Sequence, residues 1–291
     1  MRRSYTAEHH EHGQWVRLCR PRFSIREGGQ REKLEERGAE VGLLLSAAVV
    51  VVMFAAVLSF TLALHAPALN RASSSRNIVM QEKLPKLCVL DLDMCVWSPE
   101  MYELYEVPKA GECEVRRDLN GRGEGVAGVM SGGDCIRLFP GALLALQEVA
   151  DGKYPGMRLA AASSADTPLA ETIGRAAMKI LEVLPGLTVY DVLTRGFEGQ
   201  MQDPPERGPV NLQIGRQGAN GLSSNKAATH FPILKEATGV EYSEMLFFDD
   251  SAWSDHCAMV ERGCPGVVTQ RTPRGMQETE WRNALRKFAQ S

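Results

Sequence analysis

Hydrophobic positions follow two regimes along the chain. Residues 41–64 carry no charge and are dense in Val, Leu, Ala and Phe; as a helix such a stretch extends about 36 Å, enough to cross a bilayer. Beyond residue 84 the pattern changes to short strand-like runs alternating with helix-length segments, which predicts a parallel sheet with crossover helices. The runs at 87–90, 157–162, 245–248 and 266–269 predict strands. Helices are predicted at 141–150, 168–184, 229–238, 252–262 and 277–289, each opening near a helix-start or turn residue. Two stretches, 111–134 and 196–224, are rich in Gly, Pro, Arg and Asn without periodicity, and read as loops or small hairpins over one end of the sheet.

This pattern divides the chain into a disordered or targeting segment (1–40), a candidate transmembrane or signal segment (41–66), a linker (67–83) and a globular domain (84–291). Arg26, Arg31, Lys33 and Arg37 precede the apolar run and Arg71, Arg76, Lys83 and Lys86 follow it, so the positive-inside rule selects no orientation. Two placements stay open. One is a membrane anchor formed by a single N-terminal span. The other is organelle targeting, because Ala66-Pro67-Ala68 resembles a cleavage site and residues 67–80 are rich in Arg, Ser and Ala without an acid.

With 44% hydrophobic residues the chain can bury a sizeable core, and a net charge of −3 gives no general attraction to nucleic acid or to anionic membrane surfaces. The substrate is then expected to be a small molecule or a protein. Seven cysteines, without a C-x-x-C pair or a close His, indicate neither a zinc site nor a disulfide framework, but free thiols in a reducing compartment.

Four features carry chemistry. Leu87-Cys88-Val89-Leu90 runs into Asp91-Leu92-Asp93; the small strand Ala160-Ala161-Ala162 delivers Ser163 and Ser164; Ser223-Ser224-Asn225-Lys226 opens a helix; and Met245-Leu246-Phe247-Phe248 ends in Asp249-Asp250. Ligands of open α/β sheets bind just beyond the carboxyl ends of the strands, where these residues fall. Phosphoryl transfer needs such types, being mostly positioning plus neutralisation of charge. Asp91 would attack phosphorus and Asp93 would protonate the leaving oxygen and then activate water. Ser163 would hold a phosphate oxygen, and Lys226 would offset the carboxylates. Adjacent acids at the end of a buried strand repel one another, so Asp249 and Asp250 call for a cation. The metal set is Asp91, Asp93, Asp249 and Asp250, and hard oxygen ligands suit Mg2+. His230 and His256 lack partners at metal spacing and read as locally hydrogen-bonded; Trp97 and Tyr102 read as packing or as the rim of a substrate mouth.

Taken together, Leu84-Pro85-Lys86 leading into Asp91-Leu92-Asp93 and Trp97, Arg137-Leu138-Phe139-Pro140, the 160–163 strand, Thr229-His230-Phe231 and Phe247-Phe248-Asp249-Asp250 resemble the magnesium-dependent phosphatases of the haloacid dehalogenase superfamily. The resemblance implies an α/β fold with a Rossmann-like parallel sheet and helices on both faces, here preceded by the N-terminal hydrophobic span. It also implies an aspartyl-phosphate on Asp91, acid/base work by Asp93, phosphate contacts from Ser163 and Lys226, and Mg2+ held with Asp249 and Asp250. The implied substrates are aryl (tyrosine-like) or sugar phosphate esters, on a small molecule, a phosphoprotein or a glycated protein.

Departures from that pattern bear on substrate more than on chemistry. Cys95 stands where Thr or Val is usual, Ser164 where Arg is frequent, and residues 251–254 replace a more charged stretch. Lys226 lies one residue farther from His230 than expected. A missing Arg removes a bidentate phosphate contact. The same residues would serve a phosphotransferase or mutase, and the departures leave room for a membrane-tethered binding domain that has lost catalysis.

Overall fold

The computed structural model describes residues 83–165, 167–215 and 221–291. In chain order the strands and helices are β1 (Leu87–Leu90), β2 (Trp97–Ser98), β3 (Glu114–Asp118), β4 (Glu124–Ser131), β5 (Asp134–Leu138), α1 (Pro140–Ala150), β6 (Arg158–Ser163), α2 (Pro168–Met178), β7 (Glu182–Leu184), β8 (Leu187–Thr188), α3 (Val189–Thr194), β9 (Leu212–Ile214), α4 (His230–Thr238), β10 (Met245–Asp249), α5 (His256–Gly263), β11 (Val268–Arg271) and α6 (Glu278–Ala289).

The central sheet has the order β11-β10-β1-β6-β9, and every pairing in it is parallel. A strand covered on both faces needs no polar alternation. Accordingly, each residue of β1 is buried, as is each residue of β10. Alternate residues point to opposite faces. Leu87, Val89, Ala160 and Phe247 pack with Phe231 and Leu234 of α4 and Val260 of α5. Cys88, Leu90, Ala161 and Phe248 pack on the other face with Leu146 of α1, Ile173 of α2, and Trp281 and Phe288 of α6. Helices therefore cover both faces, as expected.

The strand at 87–90 matches its prediction, and β6 and β10 each extend one residue farther toward the acidic and hydroxyl-bearing ends. Other boundaries differ. The helix expected over 168–184 ends at Met178, because Pro185-Gly186 turns the chain and residues 182–188 form the β7/β8 ribbon instead. The helix expected from 252 starts at His256, where the Asp255 side chain caps the Ala258 amide at 3.0 Å. β11 begins two residues late, after Pro265 and Gly266, the latter at φ 105°. The 111–134 stretch is a hairpin around Asn120-Gly121, both with positive φ, and it continues into an antiparallel sheet of order β2-β5-β4-β3. The 196–224 stretch hides the edge strand β9.

Among the described residues no helix is long and apolar enough to cross a membrane. The candidate span at 41–66, the segments flanking it and Cys19 lie outside the described residues; the other six cysteines are free thiols.

Candidate active site

Register places the chemistry. Leu90 of β1 pairs with Phe248 of β10 and with Ala161 of β6. One residue on, the Asp91 amide donates to the Phe248 carbonyl at 2.9 Å. Asp91, Asp249 and Ser163 therefore leave the three central strands at the same carboxyl edge. Each acidic strand then turns sharply through a non-glycine residue in the left-handed region, Met94 at φ 54° and Ser251 at φ 55°. This conformation costs free energy and persists where the surroundings impose it.

Lys226 approaches from the α4 side, its side chain buried and its ammonium 5.6 Å over the Phe247 ring. Its Nζ lies 2.8 Å from Asp91 Oδ1 and 2.6 Å from Asp249 Oδ2. Burial alone would lower the lysine, but the two carboxylates more than reverse this and hold it as ammonium. Burial would likewise raise Asp249, yet Lys226 and His256 carry its carboxyl well below the usual range. His256 Nδ1 sits 3.2 Å from Asp249 Oδ2, and the Ser251 amide donates to Oδ1 at 2.8 Å. Asp91 goes the other way. Burial, reinforced by the charges of Asp249 and Asp250, raises its carboxyl well above the ordinary value in spite of Lys226. Asp250 is raised too, first by burial and then by Asp249.

Asp93 is held by two donors. Its Oδ1 accepts from Trp97 Nε1 at 2.7 Å and its Oδ2 from the Met101 amide at 3.1 Å. Burial outweighs these bonds and pushes its carboxyl up to about 6, close to the value at which a group can both give and take protons near neutrality.

These residues share a cleft of about 490 Å³ lined by Asp91, Asp93, Ser163, Ser164, Lys226 and Asp250, with Glu100, Tyr102, Trp253 and His256 among its other walls. Asp91, Asp249 and Asp250 each offer one carboxylate oxygen within 4.8 Å of the others. Such hard donors at this spacing fit Mg2+. Asp93, expected in the metal set, stands outside that cluster because its carboxylate is turned to Trp97 and Met101. The Ser164 hydroxyl is buried without a hydrogen-bond partner, an arrangement that costs free energy unless an incoming acceptor satisfies it.

The structure thus brings Asp91, Asp93, Ser163, Lys226, Asp249 and Asp250 to one strand edge. His230 is locally satisfied, as expected, with Nε2 3.2 Å from the Ser163 carbonyl and Nδ1 3.1 Å from Thr229 Oγ1. His256 reaches beyond its own turn to Asp249. Sequence reasoning passed over Glu100 and Trp253, whose Oε1 and Nε1 lie 3.4 Å apart across the cleft; a loop residue separated from its partner by 153 positions leaves no local signal.

The family model described as Acid Phosphatase matches residues 83–291. A solved structure of the N-terminal part of the protein BF1531 from Bacteroides fragilis, containing a phosphatase domain complexed with Mg, is 16% identical, with a TM-score of 0.36. The alignment covers 72% of this chain and 41% of that one, so the chain spans less than half of its length. No curated protein matches the chain.

Proposed function

The chain belongs to the Acid Phosphatase family, and from that premise we propose that it is a magnesium-dependent phosphomonoesterase of the haloacid dehalogenase type, acting through a phosphoryl-aspartate on Asp91. The observation that carries this reading is the convergence of Asp91, Asp93, Ser163, Lys226 and Asp250 on one cleft. Bound by Asp91, Asp249 and Asp250, Mg2+ would supply positive charge that lets an anionic ester approach an anionic carboxylate.

The chain's own residues divide the remaining work. Lys226 fixes the rotamer of Asp91 through its 2.8 Å contact and keeps the carboxylate edge from repelling itself open. Ser163 and Ser164 hold the non-bridging phosphoryl oxygens, the latter with its orphaned hydroxyl. An Asp91 oxygen attacks phosphorus, the ester P–O bond breaks, and Asp93 gives its proton to the leaving oxygen. Water next surrenders a proton to Asp93 and attacks the same phosphorus. The bond to Asp91 breaks, inorganic phosphate leaves, and Asp93 is protonated for the next cycle.

The direct test is phosphate release from phenyl phosphate with and without Mg2+, for the native chain and for Asp91→Asn. The expected result is Mg2+-dependent turnover that falls at least about a thousandfold in the variant while its thermal unfolding stays cooperative. Turnover retained by Asp91→Asn would remove Asp91 from this role.

A further inference from the structure

The inner end of the cleft accounts for the phosphoryl group, but the leaving group must project through its mouth, and the mouth has a chemistry of its own. Trp253 stands there 79% exposed and Tyr102 41% exposed. Both line the same cleft as Asp91. Trp253 belongs to the loop after β10 and Glu100 to the loop after β2. The 3.4 Å contact from Trp253 Nε1 to Glu100 Oε1 joins the two loops. A large aromatic surface left open beside a reaction centre, with its polar edge pinned, presents a face for stacking.

The charges at this mouth have one sign. Glu100 stands beside Trp253, and Asp93 and Asp250 line the same cleft. Among the described lining residues the cation is Lys226, whose ammonium is engaged by Asp91 and Asp249. His256 is likewise tied to Asp249. A leaving group with a negative charge of its own would therefore be set beside Glu100 with no described counter-charge.

We propose that Trp253, Tyr102 and Glu100 form the leaving-group subsite, which accepts esters of neutral, ring-bearing alcohols and phenols by stacking and rejects esters whose leaving group carries a second anion. The inference rests on the phosphomonoesterase reading and adds to it the residues that select the leaving group and the discrimination against a second anion. Trp253 and Glu100 are specificity-determining residues here, and neither takes part in bond making.

The test compares 4-carbamoylphenyl phosphate with 4-carboxyphenyl phosphate, two isosteres that differ by one charge. Both are assayed with Mg2+ at about pH 8, above the value of about 7 to which burial, and then Asp93, pushes the Glu100 carboxyl. For the native chain, kcat/KM is expected to be about tenfold lower for the carboxy ester. Glu100→Gln is expected to bring the ratio within about twofold. Trp253→Ala raises KM for the carbamoyl ester about tenfold, and Trp253→Phe restores most of the loss. The native comparison needs no variant, so the inference stands or falls even if one misfolds. Equal turnover of the two esters would overturn the subsite while leaving the phosphatase reading in place. No turnover of either ester would overturn both.

Discussion

Among the described residues Lys226 is the lysine or arginine paired with two buried carboxylates, and replacing it with Met keeps most of the side chain's length while removing the charge. Asp249 is fully buried and Asp91 nearly so, so neither can turn to water when the ammonium is gone. Stranding one partner of a buried ion pair costs about 3–5 kcal/mol. For a domain of this size each kcal/mol lowers the melting temperature by roughly 2–4 °C, so Lys226→Met without Mg2+ should lose on the order of 10 °C at neutral pH. The deficit should depend on pH with a definite sign. In the native chain Asp249 is held below its ordinary value, so its contribution is present above that value and is lost as acid protonates it. In the variant burial raises both carboxylates, with His256 left as the described partner of Asp249 and with Asp249 and Asp250 raising Asp91 further, so their cost applies at neutral pH and is relieved as they take up protons. The second effect narrows the gap by about pH 4.5, and the first adds to it only below the ordinary carboxylate value. Urea unfolding followed by circular dichroism at about pH 7.5 and about pH 4.5 measures it. A variant less stable than native by the same amount at both values, or by under about 1 kcal/mol at neutral pH, would refute the account of the Lys226 triad.

Two further outcomes follow from single residues. Asp93, raised to about 6, must be protonated to serve the leaving oxygen; kcat/KM for an alkyl phosphate should therefore fall about tenfold per pH unit above that value. An ester of an acidic phenol, which needs little proton assistance, should fall much less, and identical profiles for the two would deny Asp93 its role. Away from the cleft, Glu148 of α1 joins α6 through Arg282 at 2.6 Å and Trp281 at 2.9 Å, and also accepts from Tyr154 at 2.6 Å. Burial would raise Glu148, but these donors and Lys153 take it from 4.5 to about 2, so its contribution is full above about pH 4.5 and vanishes as pH falls toward 2. At about 1.4 kcal/mol per pH unit the contribution is roughly 3 kcal/mol. Glu148→Gln should lose about that much at pH 7 and roughly a quarter of it at about pH 2.5, as read by denaturant midpoints.

The parts of the fold legible in the sequence were those whose burial leaves a dense apolar record. β1 and β10 lie at the centre of a sheet covered on both faces, so Leu87 to Leu90 and Met245 to Phe248 read as strands, and their acids marked the edge where the cleft lies. β9 is three residues long at the sheet edge and sits in a Gly- and Pro-rich stretch, which leaves no periodicity to detect. Residues 182–188 continue an apolar pattern compatible with a helix, and only Pro185-Gly186 signals the ribbon that forms. The grouping of Asp91, Asp249 and Lys226 was inferred from chemistry, because proximity across 158 positions comes from register, which no local pattern encodes. The orphaned Ser164 hydroxyl and the contact between Trp253 and Glu100 required the loops to be placed, and they appeared with the structure alone.

The central claim is that phosphorus becomes bonded to Asp91 during turnover. Acid quenching in the steady state with Mg2+ and phenyl phosphate, followed by borohydride reduction and peptide mass spectrometry, reads this directly, since an acyl phosphate is reduced to an alcohol and a free carboxylate is not. The account predicts homoserine at position 91, dependent on substrate and absent from Asp91→Asn. Active enzyme with Asp91 unreduced, or with the reduced residue at Asp93 or Asp249, would contradict it.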